Sequence, residues 1–305
     1  MKRILVIRGG AIGDFVLTLP AVKLLRDAFP TARLEILGYC HIAALAEKRF
    51  YADATRSIEY GGLAGFFAKS GALDAELARY FESFDLVISY LFDPDRVFEQ
   101  NVARCGVEMF IAASPKIADG EHAAAQLARP LEQLGLTLAD AAARLFPSQE
   151  DREFAHTRAA RIAIHPGSGS STKNWAISNW QTILTALGDQ NVLLVGGEAD
   201  EQQLAALGNH NAHTAVNLPL PHLAAVLEQS DVFVGHDSGI SHIAAAVGTP
   251  CVLLFGPTDP AVWAPANSHV RVLRPGSKSL HDVPVTEVLD AVRILVEERL
   301  ATPSS

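Results

Sequence analysis

Only three cysteines, Cys40, Cys105 and Cys251, occur among 305 residues, an odd number with neither a CxxC pair nor the Cys/His spacing of a metal site. That excludes a disulfide scaffold, suits a reducing cytoplasm and leaves the thiols as core filler. No stretch approaches the roughly 18 apolar residues of a membrane span, because charges or glycines interrupt every candidate, so no integral membrane segment is expected. The opening Met1-Lys2-Arg3, followed by Ile4-Leu5-Val6-Ile7 and Arg8, is too short for a secretory core and has no small-residue cleavage site after it. It reads as a first strand of a soluble protein. A dense Lys/Arg block is missing too: 25 basic residues stand against 34 acidic ones, a formal charge of −9. A broad nucleic-acid footprint is therefore disfavoured, although a local basic pocket is not. No short repeat or low-complexity tract is visible, which argues against a solenoid.

What the chain does contain is apolar sequence in blocks. Hydrophobic residues make up 49% and charged residues 19%, enough for sizeable cores and incompatible with general disorder. The length exceeds what one compact core usually holds, so two domains are expected. Residues 4–7, 34–37 and 86–90 are short apolar runs, and helical periodicity follows the first two over 15–29 and 42–50. Residues 122–134 read as a helix that ends on Gly135 as a C-cap. After a polar, proline-containing segment around 146–158 the pattern restarts. Strands are expected over 161–165, 191–195, 232–235 and 251–255, and helices over 179–187, 200–207, 220–229, 240–247 and 285–300. Continuous rather than alternating runs mark strands covered on both faces, hence an α/β protein with doubly wound parallel sheets. The expected domains are 1–155 and 156–305, with the last helix able to pack on either.

Ligands of such sheets lie beyond the carboxyl ends of the strands, so the turns there are where chemistry is sought. The first is Arg8-Gly9-Gly10-Ala11-Ile12-Gly13-Asp14, whose glycines permit close backbone approach and whose Asp14 enters the next helix. Its spacing misses the Gly-x-Gly-x-x-Gly fingerprint by one position. Asp14 either complements the helix dipole or faces an interdomain cleft as a working carboxylate. The second turn, His165-Pro166-Gly167-Ser168-Gly169-Ser170-Ser171-Thr172-Lys173-Asn174-Trp175, offers small residues, hydroxyls and one ammonium just past a strand, as a phosphate cradle requires. It is not a Walker loop, because Lys173 lacks a preceding Gly and a following Ser or Thr.

The third turn, Gly235-His236-Asp237-Ser238-Gly239-Ile240-Ser241-His242, opens a helix whose amides can bind an anion. Asp237 by default caps that helix, and a lone helical His242 is more often structural than functional. The fourth, Phe255-Gly256-Pro257-Thr258-Asp259-Pro260, has turn chemistry that suits closing over a base or phosphate. Two further segments compete with bland readings. Asp93-Pro94-Asp95 has the spacing of metal-binding carboxylates but also that of an ordinary acidic turn, and residues 61–67 suit either a lipid-like acceptor or core packing through Phe66 and Phe67.

Gly13-Asp14, His165-Pro166-Gly167-Ser168 with Lys173 and Trp175, Gly196-Gly197, Asp237 through His242 and Phe255 through Pro260 together resemble, in order, the glycosyltransferase family 9 heptosyltransferases. The resemblance implies the GT-B fold, two Rossmann-like domains facing across a cleft. It further implies inverting transfer of a heptose from ADP-heptose to a lipopolysaccharide-core or related glycan acceptor, without metal or any cofactor besides the donor substrate. Asp14 matches the family's general base, in a loop shaped by Gly9, Gly10 and Gly13. Ser170, Ser171, Thr172 and Lys173, with the amides of Ser238 and Gly239, are then expected to offset charge on the departing diphosphate. Asp237 falls beside the donor, His242 near its phosphates, Asp200 at the ribose and Leu218 at the adenine. The acceptor-binding half is then the first domain and the donor-binding half the second. The implied partners are a nucleotide-sugar donor and a glycan or glycolipid at the inner face of the cytoplasmic membrane. Three rivals share the architecture: a nucleotide-sugar-binding protein without turnover, a sugar-nucleotide epimerase, and a metal-dependent transferase using Asp93 and Asp95.

Overall fold

The computed structural model describes residues 1–301 apart from 70, 159 and 209–211, and the side chains of residues 171, 300 and 301 lie outside that description. The chain divides into two compact units, Met1–Ala141 and Ala142–Ser305.

In the first unit, β1 (Arg3–Arg8), β2 (Arg33–Gly38), β3 (Ala54–Ser57), β4 (Leu86–Ser89) and β5 (Met109–Ala112) form a parallel sheet in the order β3-β2-β1-β4-β5. Ile4 through Ile7 and Leu86 through Ile88 are buried, as continuous apolar runs in strands covered on both faces should be. The helices are α1 (Ile12–Ala28), α2 (Cys40–Ala43), α3 (Ala75–Glu82), α4 (Val97–Ala103) and α5 (Ala123–Ala128). From β1 the chain builds outward through β2 and β3, then returns to the other side of β1 as β4. The order thus reverses between β1 and β4, and a crevice is expected at their carboxyl ends. Phe66, Phe81, Phe84 and Phe98 fill one core with Leu5, Ile7 and Val87.

Two expected helices are shorter than the periodicity suggests. The one over 42–50 stops at Ala43, because Lys48 turns left-handed at φ 55° and the chain pairs Glu47 with Ala52. The one over 122–134 is α-helical only to Ala128 and then tightens to 3₁₀, since Pro130 has no N–H to continue the α pattern. Gly135 ends it at φ 73°.

The second unit contains α6 (Gln149–Ala155), β6 (Ile162–Ile164), α7 (Ile177–Leu187), β7 (Val192–Gly196), α8 (Glu201–Leu207), β8 (His213–Val216), α9 (Leu220–Glu228), β9 (Val232–His236), α10 (Gly239–Ala246), β10 (Cys251–Leu254), α11 (Pro260–Trp263), β11 (Val270–Leu273) and α12 (Val285–Ala301). Its parallel sheet runs β11-β10-β9-β6-β7-β8, and here the order reverses between β6 and β9. That reversal makes neighbours of the turns after residues 164 and 236, which lie about 70 residues apart in sequence.

Residues 142–155 belong with this unit rather than ending the first. Leu145 N–H donates to the Ala246 carbonyl at 2.8 Å, and Asn267 Nδ2 donates to the Ala143 carbonyl at 3.0 Å. Helix α6 starts from a reciprocal cap in which Ser148 Oγ accepts from Asp151 N–H and Asp151 accepts from Ser148 N–H. Arg152 then grips Glu228 of α9 with two bonds of 2.7 and 2.8 Å. The apolar face of α12, Val288, Leu289, Ala291, Val292 and Leu295, joins the second unit's core around Trp180 and Ile164.

Candidate active site

In the first unit the turn after β1 is built around a buried cation. Arg8 ends an otherwise apolar strand, and its side chain is 3% exposed. Its Nε donates to Thr18 Oγ1 at 3.0 Å, and its Nη2 lies 3.3 Å from both Asp14 Oδ1 and the Asp14 carbonyl. Thr18 Oγ1 donates to that same carbonyl at 2.7 Å, and the guanidinium lies 5.9 Å from the Tyr90 ring centroid. Burial pulls the Arg8 pKa below its ordinary value, against the opposing pull of Asp14.

Asp14 is the third residue of α1, and its Oδ2 accepts from Ala11 N–H at 3.0 Å. The helix-terminal role is therefore real, yet the carboxylate still keeps 34% of its surface exposed. Gly10 adopts φ 98°, where a side chain is strained, and an added Cβ would lie 3.0 Å from Asp14 Oδ2. Gly9 packs loosely by Ile58 and Leu91, and Gly13 lies within the first turn of α1. From sequence Arg8 carries no assigned role; the available signal was a cation closing a buried strand.

Asp93 does not stand free beside Asp95. Its carboxylate accepts from Val97 N–H at 2.8 Å and Glu99 N–H at 3.0 Å, which caps α4, while Asp95 is exposed. Residues 61–67 form a 3₁₀ helix in which Phe66 is buried and Phe67 stacks on Phe98 at 4.9 Å, favouring the packing reading.

In the second unit the loop after β6 is pinned at both ends by His236, the last residue of β9. Trp175 N–H donates to His236 Nε2 at 2.9 Å, so Nδ1 carries the proton and donates to the Gly167 carbonyl at 3.1 Å. The ring is fully buried, and burial lowers its pKa to about 4, keeping it neutral. Within the loop, Ser168 Oγ donates to Asn174 Oδ1 at 2.7 Å, and the hydroxyls of Ser170 and Thr172 meet at 2.9 Å. Ser171 opens the 3₁₀ turn Ser171–Lys173, and its side chain lies outside the described ones.

Lys173 Nζ donates to Asp237 Oδ2 at 2.6 Å, and Thr258 Oγ1 donates to the same oxygen at 2.7 Å. Three of the four turns singled out from sequence, those after β6, β9 and β10, thus converge on one carboxylate. Asp237 ties them together instead of capping α10. Ser238 is the cap, its Oγ accepting from Ser241 N–H at 3.4 Å, and Gly239 is the first helical residue, so the amides of this end are available to an anion.

Asp200, expected at a ribose, is 6% exposed. Its Oδ2 accepts from Gly197 N–H at 2.9 Å and lies 3.2 Å from His165 Nε2, while His165 Nδ1 meets Ser238 Oγ at 3.2 Å. Burial opposes ionisation of Asp200, but His165 and the Gly197 amide outweigh it and hold the carboxyl below its usual range. Gly167 is obligatory beneath it, since a Cβ there would fall 1.7 Å from Asp200 Oδ1. His242 is buried in α10, and its N–H donates to the Ser238 carbonyl at 3.3 Å. Leu218 lines a cavity of about 410 Å³ with Thr214, Val216 and Arg158, which the Lys173–Asp237 cluster does not line. His165, His236 and Thr258 carry no assigned role from sequence; histidines closing two adjacent apolar strands were the legible signal.

The family model of glycosyltransferase family 9 (heptosyltransferase) matches residues 113–292, more than half of the chain. Lipopolysaccharide heptosyltransferase 3 of Escherichia coli K12 is 24% identical over 295 residues, covering 85% of this chain and 83% of its own. Among solved structures, a glycosyl transferase family 9 protein from Veillonella parvula superposes with TM-score 0.81 at 21% identity, covering 97% of both chains. The E. coli heptosyltransferase WaaC with ADP superposes with TM-score 0.72 at 18% identity, covering 97% of this chain and 99% of the other. These likenesses show the fold expected from sequence, two Rossmann-like parallel-sheet units of the GT-B class. A buried strand ending in a cation that braces the carboxylate of the next helix, three loops gathered on Asp237 and the family match thus agree, and the chain belongs to glycosyltransferase family 9, the heptosyltransferase family, as a glycosyltransferase.

Proposed function

We propose that the chain transfers a heptose from ADP-heptose to a lipopolysaccharide-core or related glycan acceptor, with inversion, with Asp14 as general base and without a metal. The observation that carries this reading is Asp14 itself, a carboxylate fixed by Ala11 and Arg8 yet still a third exposed. In the reaction the acceptor oxygen attacks the anomeric carbon and passes its proton to Asp14, while the bond to the nucleotide breaks and ADP departs with the electron pair. Negative charge growing on the diphosphate is met by Lys173 and by the amides at Ser238 and Gly239. The diphosphate takes Lys173 over from Asp237, and the hydroxyls of Ser170, Ser171 and Thr172 complete the cradle. His165 and Asp200 hold Ser238, so Asp200 serves as a brace for the anion end of α10. Leu218 borders the base, and His242 steadies the first turn behind the phosphates.

Several facts support the reading. The relative named above is a lipopolysaccharide heptosyltransferase, and a solved neighbour is a heptosyltransferase with ADP. The carboxylate of Asp93, the main candidate for a metal, is engaged in capping α4. No helix among the described residues is long and apolar enough to cross a membrane, which suits an enzyme that meets a glycolipid acceptor from the inner face.

The test is transfer from ADP-heptose to a deacylated core acceptor, with and without chelator. Asp14→Asn is expected to lose at least about 10²-fold in kcat while ADP still raises the melting temperature. Full transfer by Asp14→Asn, loss with chelator, or tight donor binding without turnover in the wild type would each overturn it.

A further inference from the structure

A cavity of about 310 Å³ lies at the carboxyl ends of β4 and β5, one strand over from the point where the order of the first sheet reverses. Its walls include Leu91, Phe92, Glu99, Arg96 and Ser114. Three features set it apart. First, it neighbours the loop that carries Asp14: Leu91, in its wall, would lie 3.9 Å from a Cβ on Gly9, and Ser89 pairs with Ile7 next to Arg8. Second, it displays an aromatic ring: Phe92 is 59% exposed, the most of any large apolar side chain described. A single exposed apolar residue needs no explanation on a convex surface, but this one lines a concavity. The turn that bears it is braced by the two amide bonds into Asp93, and Lys116 Nζ lies 4.1 Å from the ring centroid. Third, the charges cancel in number: Arg96 and Glu99 share two bonds of 2.8 and 2.6 Å, and the Lys116 ammonium at the ring is matched by the Asp93 carboxylate in the wall.

An aromatic face among charges that cancel is better suited to a ring with apolar C–H faces and a rim of hydroxyls than to a phosphate. The volume is at the small end of the range for ligand pockets. We propose that this cavity receives one neutral pyranose ring of the acceptor, its C–H face on Phe92 and its hydroxyls on Glu99, Arg96 and Ser114. The description of that sugar as an acceptor rests on the transferase reading; the binding itself does not.

The test is saturation-transfer NMR on the full chain with methyl α-D-glucopyranoside, methyl α-D-mannopyranoside and methyl L-glycero-α-D-manno-heptopyranoside. The wild type is expected to saturate ring protons of at least one glycoside, Phe92→Trp to retain the signal, and Phe92→Ala to lose most of it. Asp14→Asn should keep it. In the transfer assay Phe92→Ala should raise the acceptor KM about tenfold and leave the donor KM unchanged. An equal signal in wild type and Phe92→Ala, or none with any of the three sugars, overturns the proposal. If Asp14→Asn kept full transfer while the Phe92-dependent signal stood, the catalytic reading alone would fall.

Discussion

Arg8 and Asp14 form an asymmetric pair: the guanidinium is enclosed within the first unit while its carboxylate partner, 3.3 Å away, still meets solvent. Burying a guanidinium is costly unless its partners are fixed, and here Thr18, the Asp14 carbonyl and the Asp14 carboxylate share the task. The cation and the Ala11 amide therefore set the rotamer of the carboxylate, and its solvent-facing edge is the one the proposed proton transfer would use. Arg8→Lys keeps the charge but not the fork that reaches Thr18 and Asp14 together. It is expected to lower kcat about tenfold with donor KM unchanged, and Thr18→Val should do so more weakly; equal kcat in Arg8→Lys and wild type would remove Arg8 from the site.

Asp14→Asn has a second expected effect, on stability. It withdraws the carboxylate from a buried guanidinium, at a cost of about 1 kcal/mol after discounting for the exposure of Asp14. Thermal unfolding of Asp14→Asn, Arg8→Met and the double variant checks this, because the double variant should be no less stable than Arg8→Met alone.

His236 makes the second unit sensitive to acid. Its folded pKa of about 4 lies below the 6.5 of an unperturbed imidazole, so between those values the unfolded chain binds the proton that the folded chain refuses. The stability is complete above about pH 6.5 and is lost as pH falls towards 4, by up to about 3 kcal/mol. His236→Gln, which can donate and accept along the same two directions, should flatten that part of the stability curve; an unchanged slope would show that another group titrates.

Lys173→Ala removes the one ammonium of the loop and is expected to weaken ADP binding by about 10- to 100-fold, the worth of one charge-assisted bond. Isothermal titration at two salt concentrations checks it, since the variant should also show the weaker salt dependence. Affinity within twofold of wild type would place the phosphates elsewhere.

Gly167→Ala is the smallest change that should disable the proposed donor site. The new methyl group meets Asp200 Oδ1, so the carboxylate must leave either His165 or the Gly197 amide. A loss of about 2–4 kcal/mol in unfolding free energy and of ADP-induced thermal stabilisation is expected. Gly169→Ala in the same loop meets no atom and serves as the control.

The strands legible from sequence are the interior ones, β1, β2, β4, β6, β7, β9 and β10. The four that escape notice, β3, β5, β8 and β11, are the edges of the two sheets. Their sequences, Ala-Thr-Arg-Ser, Met-Phe-Ile-Ala, His-Thr-Ala-Val and Val-Arg-Val-Leu, have at most one buried residue each, so the continuous apolar signal of a doubly covered strand is missing. Helix α6 escapes because its apolar content is low, although Ser148 and Asp151 spell its cap. The turns that gather at Asp237 were legible as separate loops because each follows an apolar run. Their convergence was not, because strand order is a long-range property. Arg8 and His236 were hidden for a related reason, since a polar residue at the end of a buried strand declares its purpose only through partners such as Thr18, 10 residues away, and Gly167, 69 residues away.

The bond between Lys173 and Asp237 bears on how a catalytic cycle ends. If Lys173 holds the donor diphosphate as proposed, the ammonium has, when that group departs, a carboxylate already in place, anchored by Thr258, to return to. The vacated loop is thus spared a bare cation, and the nucleotide's hold is reduced by whatever the internal pair regains. On that reading, retention of spent nucleotide, a common brake on turnover, is weakened by a residue that need never touch it.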